Sequence, residues 1–199
     1  PLVAAAGSLP AAAARIVEAA TDLFAERGYY GTSMRELAEI AGTRASTIYH
    51  YFPTKADVLG AVMRRTMTTL IAEVQGAGAA HTDPPARLAA MVRAHVEFNA
   101  ANQAAAFVAG AEVRSLTGAH REAVLRLRSE YEEMFASVLR TGIAGGEFEL
   151  EDVETVTFGL IRMCSGVAAW YSEDGPQAIE TIADQYVDLA LAAVGRKGA

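Results

Sequence analysis

Apolar residues recur at helical spacing along almost the whole chain, with Gly and Pro residues at the interruptions. The first such segment predicts a helix from about Ala11 to Arg27. Its buried face is predicted to carry Ile16, Ala20, Leu23 and Phe24. A long helix is predicted from Lys55 to about Gln75, with Thr54 as its N-cap and Asp57 at N3. Further helices are predicted at about 84–100, 102–117, 119–144, 152–173 and 176–195, with two short ones between 32 and 55. Because alternating apolar runs joined by hairpin turns are missing from the sequence, the pattern predicts an all-α fold of about nine helices.

The two short helices have ends that can be recognised in the sequence. Ser33 followed three residues later by Glu36 is a capping box, which predicts the start of the first short helix. Gly42 predicts its end, because glycine adopts the left-handed conformation found just past a helix. The second short helix is expected from about Arg44 to Phe52. Two helices joined by a tight Gly-containing turn predict a helix-turn-helix, whose second helix enters the major groove of DNA.

The outward face of the second short helix decides between DNA binding and ordinary helix packing, since two short helices around a glycine are common in helical proteins. This face carries small residues, hydroxyls and an imidazole, and no carboxylate that would repel phosphate. Such groups, together with Arg44, suit base edges and the sugar-phosphate backbone. The face therefore favours DNA binding.

A specific resemblance covers about 50 residues of this region. The run FAERGYYGTSMRELA at 24–38, then Ala41-Gly42, TIYHYF at 47–52 and Lys55 resembles the N-terminal domain of TetR-family transcriptional regulators. In that family the second and third helices form the helix-turn-helix, and a lysine that starts the fourth helix binds phosphate. The resemblance implies base-side contacts by Thr43, Arg44, Ala45, Ser46, Tyr49 and His50. It implies contacts with the DNA backbone by Thr32, Ser33, Tyr51 and Lys55.

One position departs from the family pattern. The family usually has a serine N-cap where this chain has Arg44, with a basic or small residue next, where this chain has Ala45. Either Thr43 caps the third helix one residue early, or Arg44 is free to reach a guanine. The sequence leaves open whether Arg44 caps the helix, contacts phosphate or reads a base.

Charge is distributed unevenly along the chain, whose formal net charge is -7. Residues 1–65 carry 7 basic and 6 acidic side chains, a balance of +1, which leaves 10 basic and 18 acidic side chains, a balance of -8, in 66–199. A balance of +1 is weak for a DNA-binding module. We therefore expect operator affinity to depend on a symmetric dimer and on helix N-termini that face phosphates.

Two domains are expected: an N-terminal arm with the helix-turn-helix domain over 1–53, and a helical effector-binding and dimerisation domain over 54–199. The Ala-rich segment before Arg15 is interpreted as a disordered arm without signal-peptide character. The Gly- and Pro-rich stretch 76–85 is interpreted as a loop inside the second domain. Core packing alone would explain either apolar stripe on the last two helices. Together they match the two-helix contribution to the dimeric four-helix bundle that the resemblance to the TetR family implies, and a palindromic operator requires a two-fold dimer. The stripes comprise Val156, Leu160, Met163, Val167 and Trp170, and Ile179, Ile182, Ala183, Tyr186, Leu189, Ala190 and Ala193.

The middle helices set polar residues among apolar ones, as in a small-molecule cavity. The candidate ligand-binding residues are Met91, His95, Phe98, Asn99, Gln103, Phe107, Tyr131, Phe135, Arg162 and Trp170. A buried Arg162 would need an anionic partner, either Glu112, Glu130 or a ligand carboxylate or phosphate. The second half, especially 142–148 with Trp170-Tyr171 and Gly175-Pro176, resembles TetR-family regulators of fatty-acid and sterol-derived acyl-CoA catabolism. This resemblance implies an acyl-CoA effector that releases a repressor from its operator.

An enzyme and a helical adaptor are the alternatives to a DNA-binding regulator. An enzyme is disfavoured because His50, His81, His95 and His120 are scattered without metal-ligand spacing, and neither a phosphate loop nor a nucleophile motif is present. A helical adaptor or ligand-binding protein without an operator is the remaining alternative. No metal or cofactor is expected. The single Cys164 fits a reducing compartment, and no apolar run has the length of a membrane span, so a cytoplasmic location is expected.

Overall fold

A computed structural model describes residues 9–195, and helices account for most of them. The α-helices are α1 (Ala11–Arg27), α2 (Met34–Ile40), α3 (Ala45–Tyr51), α4 (Lys55–Ala79), α5 (Pro84–Ala101), α6 (Gln103–Ala111), α7 (Gly118–Gly145), α8 (Val153–Ser165), α9 (Val167–Trp170) and α10 (Ile179–Ala193), with a 3-10 helix, η1, at Glu112–Ser115. The predicted all-α class is confirmed. Residues 1–8, most of the predicted N-terminal arm, lie outside the described range.

The described residues form two compact units that do not follow a single cut in the chain. Unit 1 contains the residues up to Thr69 together with Gln103–Leu127, and unit 2 contains Leu70–Asn102 and the residues from Arg128 onward. Helices α4 and α7 therefore begin in unit 1 and end in unit 2. The domain boundary expected at 53/54 is the end of the helix-turn-helix motif. In the structure, the compact unit that holds this motif also contains the start of α4, α6, η1 and the start of α7.

Unit 1 has one apolar core, which accounts for the helical periodicity of its sequence. The predicted buried face of α1 is correct, since Ile16, Ala20, Leu23 and Phe24 are all buried. Leu37 of α2 and Ile48 of α3 are fully buried in the same core, beside Leu59 and Met63 of α4. Helix α6 packs on α1 and adds Val108 to this core. Both short helices are thus fixed by one buried side and leave the other side exposed.

Unit 2 is organised around α5, which packs along α10 and also contacts α8 and α9. Its buried side chains include Leu88, Val92 and Val96 of α5, with Phe135 and Leu139 of α7. Cys164 is buried as a free cysteine, as expected for a small core residue. Burial raises the pKa of its thiol to about 12, so it stays protonated.

Three predicted element boundaries are wrong, and glycines are involved in the first two. The stretch 76–85 is not one loop, because α4 continues to Ala79 and α5 starts at Pro84. Gly78 lies inside α4, where a Cβ atom would come within 2.8 Å of the Met91 side chain, so this glycine permits close helix packing. The predicted helix 152–173 is divided at Gly166 into α8 and α9. The last helix starts at Ile179 and not at 176.

The apolar stripes predicted for the last two helices lie largely inside unit 2. Leu160, Val167 and Ile182 are among the residues that are buried within the chain, because both helices pack on α5. The large apolar side chains that remain exposed there are Phe158, Trp170 and Leu189, at 54–56%. Only part of the predicted interface is therefore available to a partner.

The buried imidazole of His95 predicts a loss of stability in mild acid. Burial lowers the pKa of His95 to about 3, below its unfolded value of about 6.5. Between these values the unfolded chain binds a proton that the folded chain does not, so the free energy of unfolding falls by up to about 1.4 kcal/mol per pH unit as the pH drops. Urea unfolding at pH 7, 6 and 5 measures this dependence. A His95→Gln variant should show a shallower pH dependence, and equal slopes for the two proteins would contradict the prediction.

Candidate nucleic-acid interface

The helix-turn-helix is fixed at its first end by the predicted capping box. The backbone N–H of Glu36 donates to Ser33 Oγ at 3.3 Å, and the N–H of Ser33 donates back to the Glu36 carboxylate at 2.8 Å. The hydroxyl of Ser33 also donates to this carboxylate, and these hydrogen bonds lower the pKa of Glu36. Local hydrogen bonds that the sequence predicts therefore define the start of α2.

The turn between α2 and α3 has the geometry that a glycine permits. Gly42 has a φ of +60°, and its N–H donates to the carbonyl of Glu39. The N–H of Thr43 donates to the carbonyl of Ala38 at 2.9 Å. This pair of bonds forms a Schellman motif, which ends α2 and redirects the chain into α3.

The exposed side of α3 carries most of the predicted base-side residues. Arg44, Ala45, Ser46, Tyr49 and His50 are all exposed, whereas Ile48 faces the core. Arg44 is the N-cap residue, with extended φ and ψ, and its side chain makes no capping hydrogen bond. Thr43 therefore does not cap the helix one residue early. The guanidinium group of Arg44 extends from the N-terminus of the predicted recognition helix.

Lys55 holds the turn that precedes α2. Its Nζ donates to the carbonyl oxygens of Tyr29 and Thr32, both at 2.7 Å, and lies 4.4 Å from the centre of the Tyr29 ring. The unfavourable position of this cation in the first turn of α4 is thus offset by two carbonyl dipoles and an aromatic face. These contacts within the chain balance the cation without a phosphate. Its role as a phosphate contact stays a prediction.

The start of α4 is itself capped as predicted. The N–H of Asp57 donates to Thr54 Oγ1 at 3.2 Å, and the N–H and hydroxyl of Thr54 donate to Asp57 Oδ2 at 2.8 and 2.6 Å. Hydrogen bonding by the Thr54 side chain is the main reason that the pKa of Asp57 is lowered. This cap places Lys55 one residue further on, within reach of the α1–α2 turn.

Glu112 of η1 holds the same turn from another side. Its Oε1 accepts a hydrogen bond from the backbone N–H of Tyr29 at 3.0 Å, and Oε2 accepts one from the Ser115 hydroxyl at 2.7 Å. Tyr29 therefore presents its carbonyl to Lys55 and its N–H to Glu112. Two residues far apart in the chain fix one peptide segment just before the helix-turn-helix.

His120 of α7 bridges two residues of α4. Its Nε2 lies 2.9 Å from Asp57 Oδ1, and its Nδ1 lies 3.1 Å from Nη1 of Arg64. Because a guanidinium only donates, Nδ1 acts as the acceptor, and the proton on Nε2 is donated to Asp57. The capped first turn of α4 is thereby tied to the first turn of α7 within unit 1.

Two of the predicted DNA contacts are placed differently from the rest. Thr32 is only 3% exposed, and its hydroxyl donates to the carbonyl of Gly28. The structure therefore does not support a side-chain contact with DNA by Thr32, because that side chain is part of the turn. Tyr51 is half-buried, with its ring edge-on to that of His50. Ser33 is exposed, as predicted.

The predicted ligand residues fall into two sets. Six are buried in unit 2, and in three of these, His95, Tyr131 and Phe135, the rings lie within 5.3–6.3 Å of each other. The others of this set are Met91, Phe98 and Asn99. Phe107 and Trp170 are exposed, and Gln103 and Phe107 belong to unit 1. Arg162 is exposed over the Phe158 ring, so the expectation of a buried cation is wrong.

Glu112 and His120 make long-range contacts beside the helix-turn-helix that the sequence does not predict. The sequence alone suggests Glu112 as a partner of Arg162 and leaves His120 as one of four scattered histidines. Glu112 lies 83 residues from Tyr29 in the chain, and His120 lies 63 residues from Asp57. No local spacing signals such contacts, which arise from the packing of α6, η1 and α7 beside the helix-turn-helix.

The fold and the exposed α3 face define a helix-turn-helix DNA-binding protein. The family model described as "Bacterial regulatory proteins, tetR family" matches residues 16–62, and "Tetracyclin repressor-like, C-terminal domain" matches residues 81–194. The HTH-type transcriptional repressor KstR2 of Rhodococcus jostii (strain RHA1) is 31% identical over 179 residues, which cover 88% of this chain and 87% of that protein. The chain belongs to the TetR family of bacterial transcriptional regulators.

Solved structures share the whole architecture. A tetR-family regulatory protein from Rhodococcus RHA1 is 29% identical, with a TM-score of 0.90 over 96% of this chain and 100% of that chain. AibR, solved in complex with isovaleryl coenzyme A and operator DNA, is 24% identical, with a TM-score of 0.83 over 89% of this chain and 97% of its own. The likeness to AibR shows that a protein of lower sequence identity has the same fold.

Between residues 9 and 195, no helix is both long and apolar enough to cross a membrane. Within the same range, no group of three or more His, Cys, Asp and Glu side chains is arranged to hold a metal ion.

The contact between Glu112 and Tyr29 generates a prediction for the α1–α2 turn. Glu112→Ala removes the acceptor of a charge-assisted hydrogen bond and should lower the free energy of unfolding by about 1.5 kcal/mol. It should also speed exchange of the Tyr29 amide proton. Glu112→Gln keeps an acceptor oxygen and serves as the matched control, with a smaller effect on both. Hydrogen exchange followed by NMR measures the amide directly, and an unchanged Tyr29 exchange rate in Glu112→Ala would contradict the contact.

Proposed function

We propose that this protein is a dimeric repressor that binds a palindromic operator with α3 in the major groove and is released by a small, largely apolar effector. The proposal of DNA binding is supported mainly by the exposed face of α3, which has Arg44 at its N-terminus and no carboxylate. Its hydroxyl, imidazole and guanidinium groups offer donors to base edges and phosphates. The site of action would be operator DNA in the cytoplasm.

Arg44 is proposed to read a base. It occupies the N-cap position at the start of α3, is exposed, and makes no capping hydrogen bond, since a guanidinium has donors but no acceptor. The N-terminal residues of a recognition helix are those that contact base edges, and arginine binds guanine O6 and N7 in a bidentate manner. Lys55, by contrast, has two of its three donors on carbonyls of the chain, which leaves one for a phosphate.

A homodimer is proposed to form through the exposed side of α8, α9 and α10. Phe158, Trp170 and Leu189 are large apolar side chains that remain exposed in unit 2. Near them, a Cβ atom added to Gly159 would meet no atom within 4 Å. An open glycine beside exposed apolar groups suits the close approach of a helix from a second copy. Two copies also compensate for the weak positive balance of one DNA-binding unit.

The effector is proposed to bind inside unit 2, against the buried residues of α5 and α7. Met91, Phe98 and Phe135 supply apolar surface, and His95, Asn99 and Tyr131 supply polar groups. An acyl-CoA is the proposed class, on the basis of the resemblance of the second half of the sequence to acyl-CoA-responsive regulators. Such a ligand releases DNA only if it binds the non-DNA-binding conformation more tightly. Regulation without catalysis is proposed, since family members act as regulators.

The assignment of Arg44 is tested by a charge-matched pair of variants. Arg44→Ala should weaken operator binding roughly 10- to 100-fold, the range for loss of one bidentate base contact. Arg121→Ala removes the same charge from an exposed position on α7 and should leave affinity nearly unchanged. Mobility-shift titrations on the operator and on single-base variants distinguish the roles of Arg44. A base contact relaxes specificity at one position, whereas a uniform loss across sequences indicates a phosphate contact.

The proposed dimer is tested by placing a charge on its surface. Leu189→Glu should convert the protein to a monomer and abolish tight operator binding, because a carboxylate would be buried between apolar surfaces. Ile143→Glu introduces the same group at an exposed apolar position of α7 and should remain dimeric. Analytical ultracentrifugation reports the state of both variants. A Leu189→Glu protein that stays dimeric would show that another surface forms the interface.

The proposed effector class is tested by DNA release. Acyl-CoA thioesters of increasing chain length are titrated into a fluorescent operator complex, with free coenzyme A as the control. Release that depends on chain length supports the assignment. If no thioester changes the DNA complex, acyl-CoA is the wrong class.

A further inference from the structure

In the interior of unit 2, two polar side chains each have one polar atom that forms no hydrogen bond. His95 of α5 is 1% exposed and Tyr131 of α7 is 2% exposed. Their rings meet edge to face, with centroids 5.3 Å apart, and Phe135 lies against both. In the part of the chain that the structure describes, neither His95 Nδ1 nor Tyr131 Oη has a hydrogen-bond partner. Buried polar atoms of this kind are rare, and each is costly unless something pairs with it.

The hydrogen bonds around His95 fix which ring nitrogen carries the proton. The Ser165 hydroxyl donates its only proton to the carbonyl of Ile161 at 2.8 Å. Towards His95 Nε2, 3.3 Å away, this oxygen can then only accept. Nε2 therefore carries the hydrogen, and Nδ1 presents a lone pair.

The nearby Asn99 amide does not supply the missing donor. Its Nδ2 donates to the carbonyl of His95 at 3.1 Å and to the carbonyl of Cys164 at 3.5 Å, so both of its protons are used. The Tyr131 hydroxyl differs from His95 Nδ1 in its hydrogen-bonding capacity, because a phenol both donates and accepts. Burial raises the pKa of Tyr131 well above 10, so its proton is retained. The pair thus offers one pure acceptor and one donor.

None of the hydrogen-bond or ring partners described for this pair is charged: they are Ser165, Phe135 and the two rings themselves. Burial alone accounts for lowering the pKa of His95 to about 3, so the imidazole is neutral near pH 7. An ionised carboxylate or phosphate placed beside these groups would be desolvated without a compensating cation. The ligand group that fits here must be neutral.

We propose that His95 Nδ1 and Tyr131 Oη recognise a hydroxyl group on the neutral, otherwise apolar part of the effector. The hydroxyl donates its proton to Nδ1 and accepts the phenolic proton of Tyr131, which satisfies both atoms. A ketone in the same place accepts from Tyr131 but leaves Nδ1 without a donor, and a methylene leaves both unpaired. This inference rests on the proposed binding of an effector inside unit 2, and it narrows that effector to hydroxylated molecules such as a hydroxyacyl chain or a ring alcohol.

The first experiment uses NMR of the protein labelled with nitrogen-15 in its histidines. The expected spectrum of His95 has a protonated Nε2 and an unprotonated Nδ1. Addition of cyclohexanol should shift the Nδ1 resonance upfield, as a lone pair that accepts a hydrogen bond does. Cyclohexanone and methylcyclohexane, which have the same ring size, should not produce this shift. A protonated Nδ1, or equal responses to all three probes, overturns the proposal.

Affinity for the same probes supplies the second measurement. Cyclohexanol should bind the wild-type protein about tenfold more tightly than methylcyclohexane, because only the alcohol forms hydrogen bonds with the two atoms that are unpaired in the free protein. Tyr131→Phe removes only the phenolic oxygen and should reduce this preference several-fold, whereas Tyr30→Phe, at an exposed position of unit 1, should keep it. A preference that survives in Tyr131→Phe overturns the pairing. Because operator binding and its release by acyl-CoA are measured without these alcohols, failure of the hydroxyl preference is distinguishable from failure of the regulatory function.

Discussion

The ammonium group of Lys55 is the contact on which the DNA-binding unit depends. It joins the first turn of α4 to the two carbonyls that precede α2, while Glu112 fixes the N–H of the same segment. The orientation of α2 and α3 is therefore set by α4 and η1 as well as by their own apolar core. Since α4 continues from unit 1 into unit 2, the helix that carries Lys55 also reaches the unit proposed to bind the effector.

The acidic character of the whole chain is compatible with DNA binding because charge and chemistry are distributed locally. The predicted recognition helix has no carboxylate on its exposed side, and the acidic excess lies after residue 65. One unit alone has too little positive charge for strong nonspecific attraction to phosphate. Affinity then has to come from two correctly spaced copies with helix N-termini and specific donors at the DNA. This requirement gives the exposed apolar side chains of α8, α9 and α10 their proposed role in pairing two chains.

The features that sequence predicted correctly are those encoded within a few residues. The capping boxes at Ser33 and Thr54 and the glycine turn at Gly42 follow from local hydrogen bonding and backbone sterics. Contacts between distant residues were not predictable, because spacing along the chain says nothing about Glu112 and Tyr29 or about His120 and Asp57. Arg162 shows the same limit, since its apolar neighbours in sequence suggested burial, whereas the helix directs it to the surface. The stripes on the last helices were ambiguous because the same pattern serves a core and an interface.

Selection of DNA by the purified protein from a random duplex library tests the central claim most directly. A dimer with α3 in the major groove should enrich an inverted repeat whose half-sites are about one helical turn, or a multiple of it, apart. Each half-site should contain a guanine whose replacement weakens binding of the wild-type protein but not of Arg44→Ala. Enrichment of no sequence, or of a single site without two-fold symmetry, would contradict the account of a dimeric operator-binding regulator.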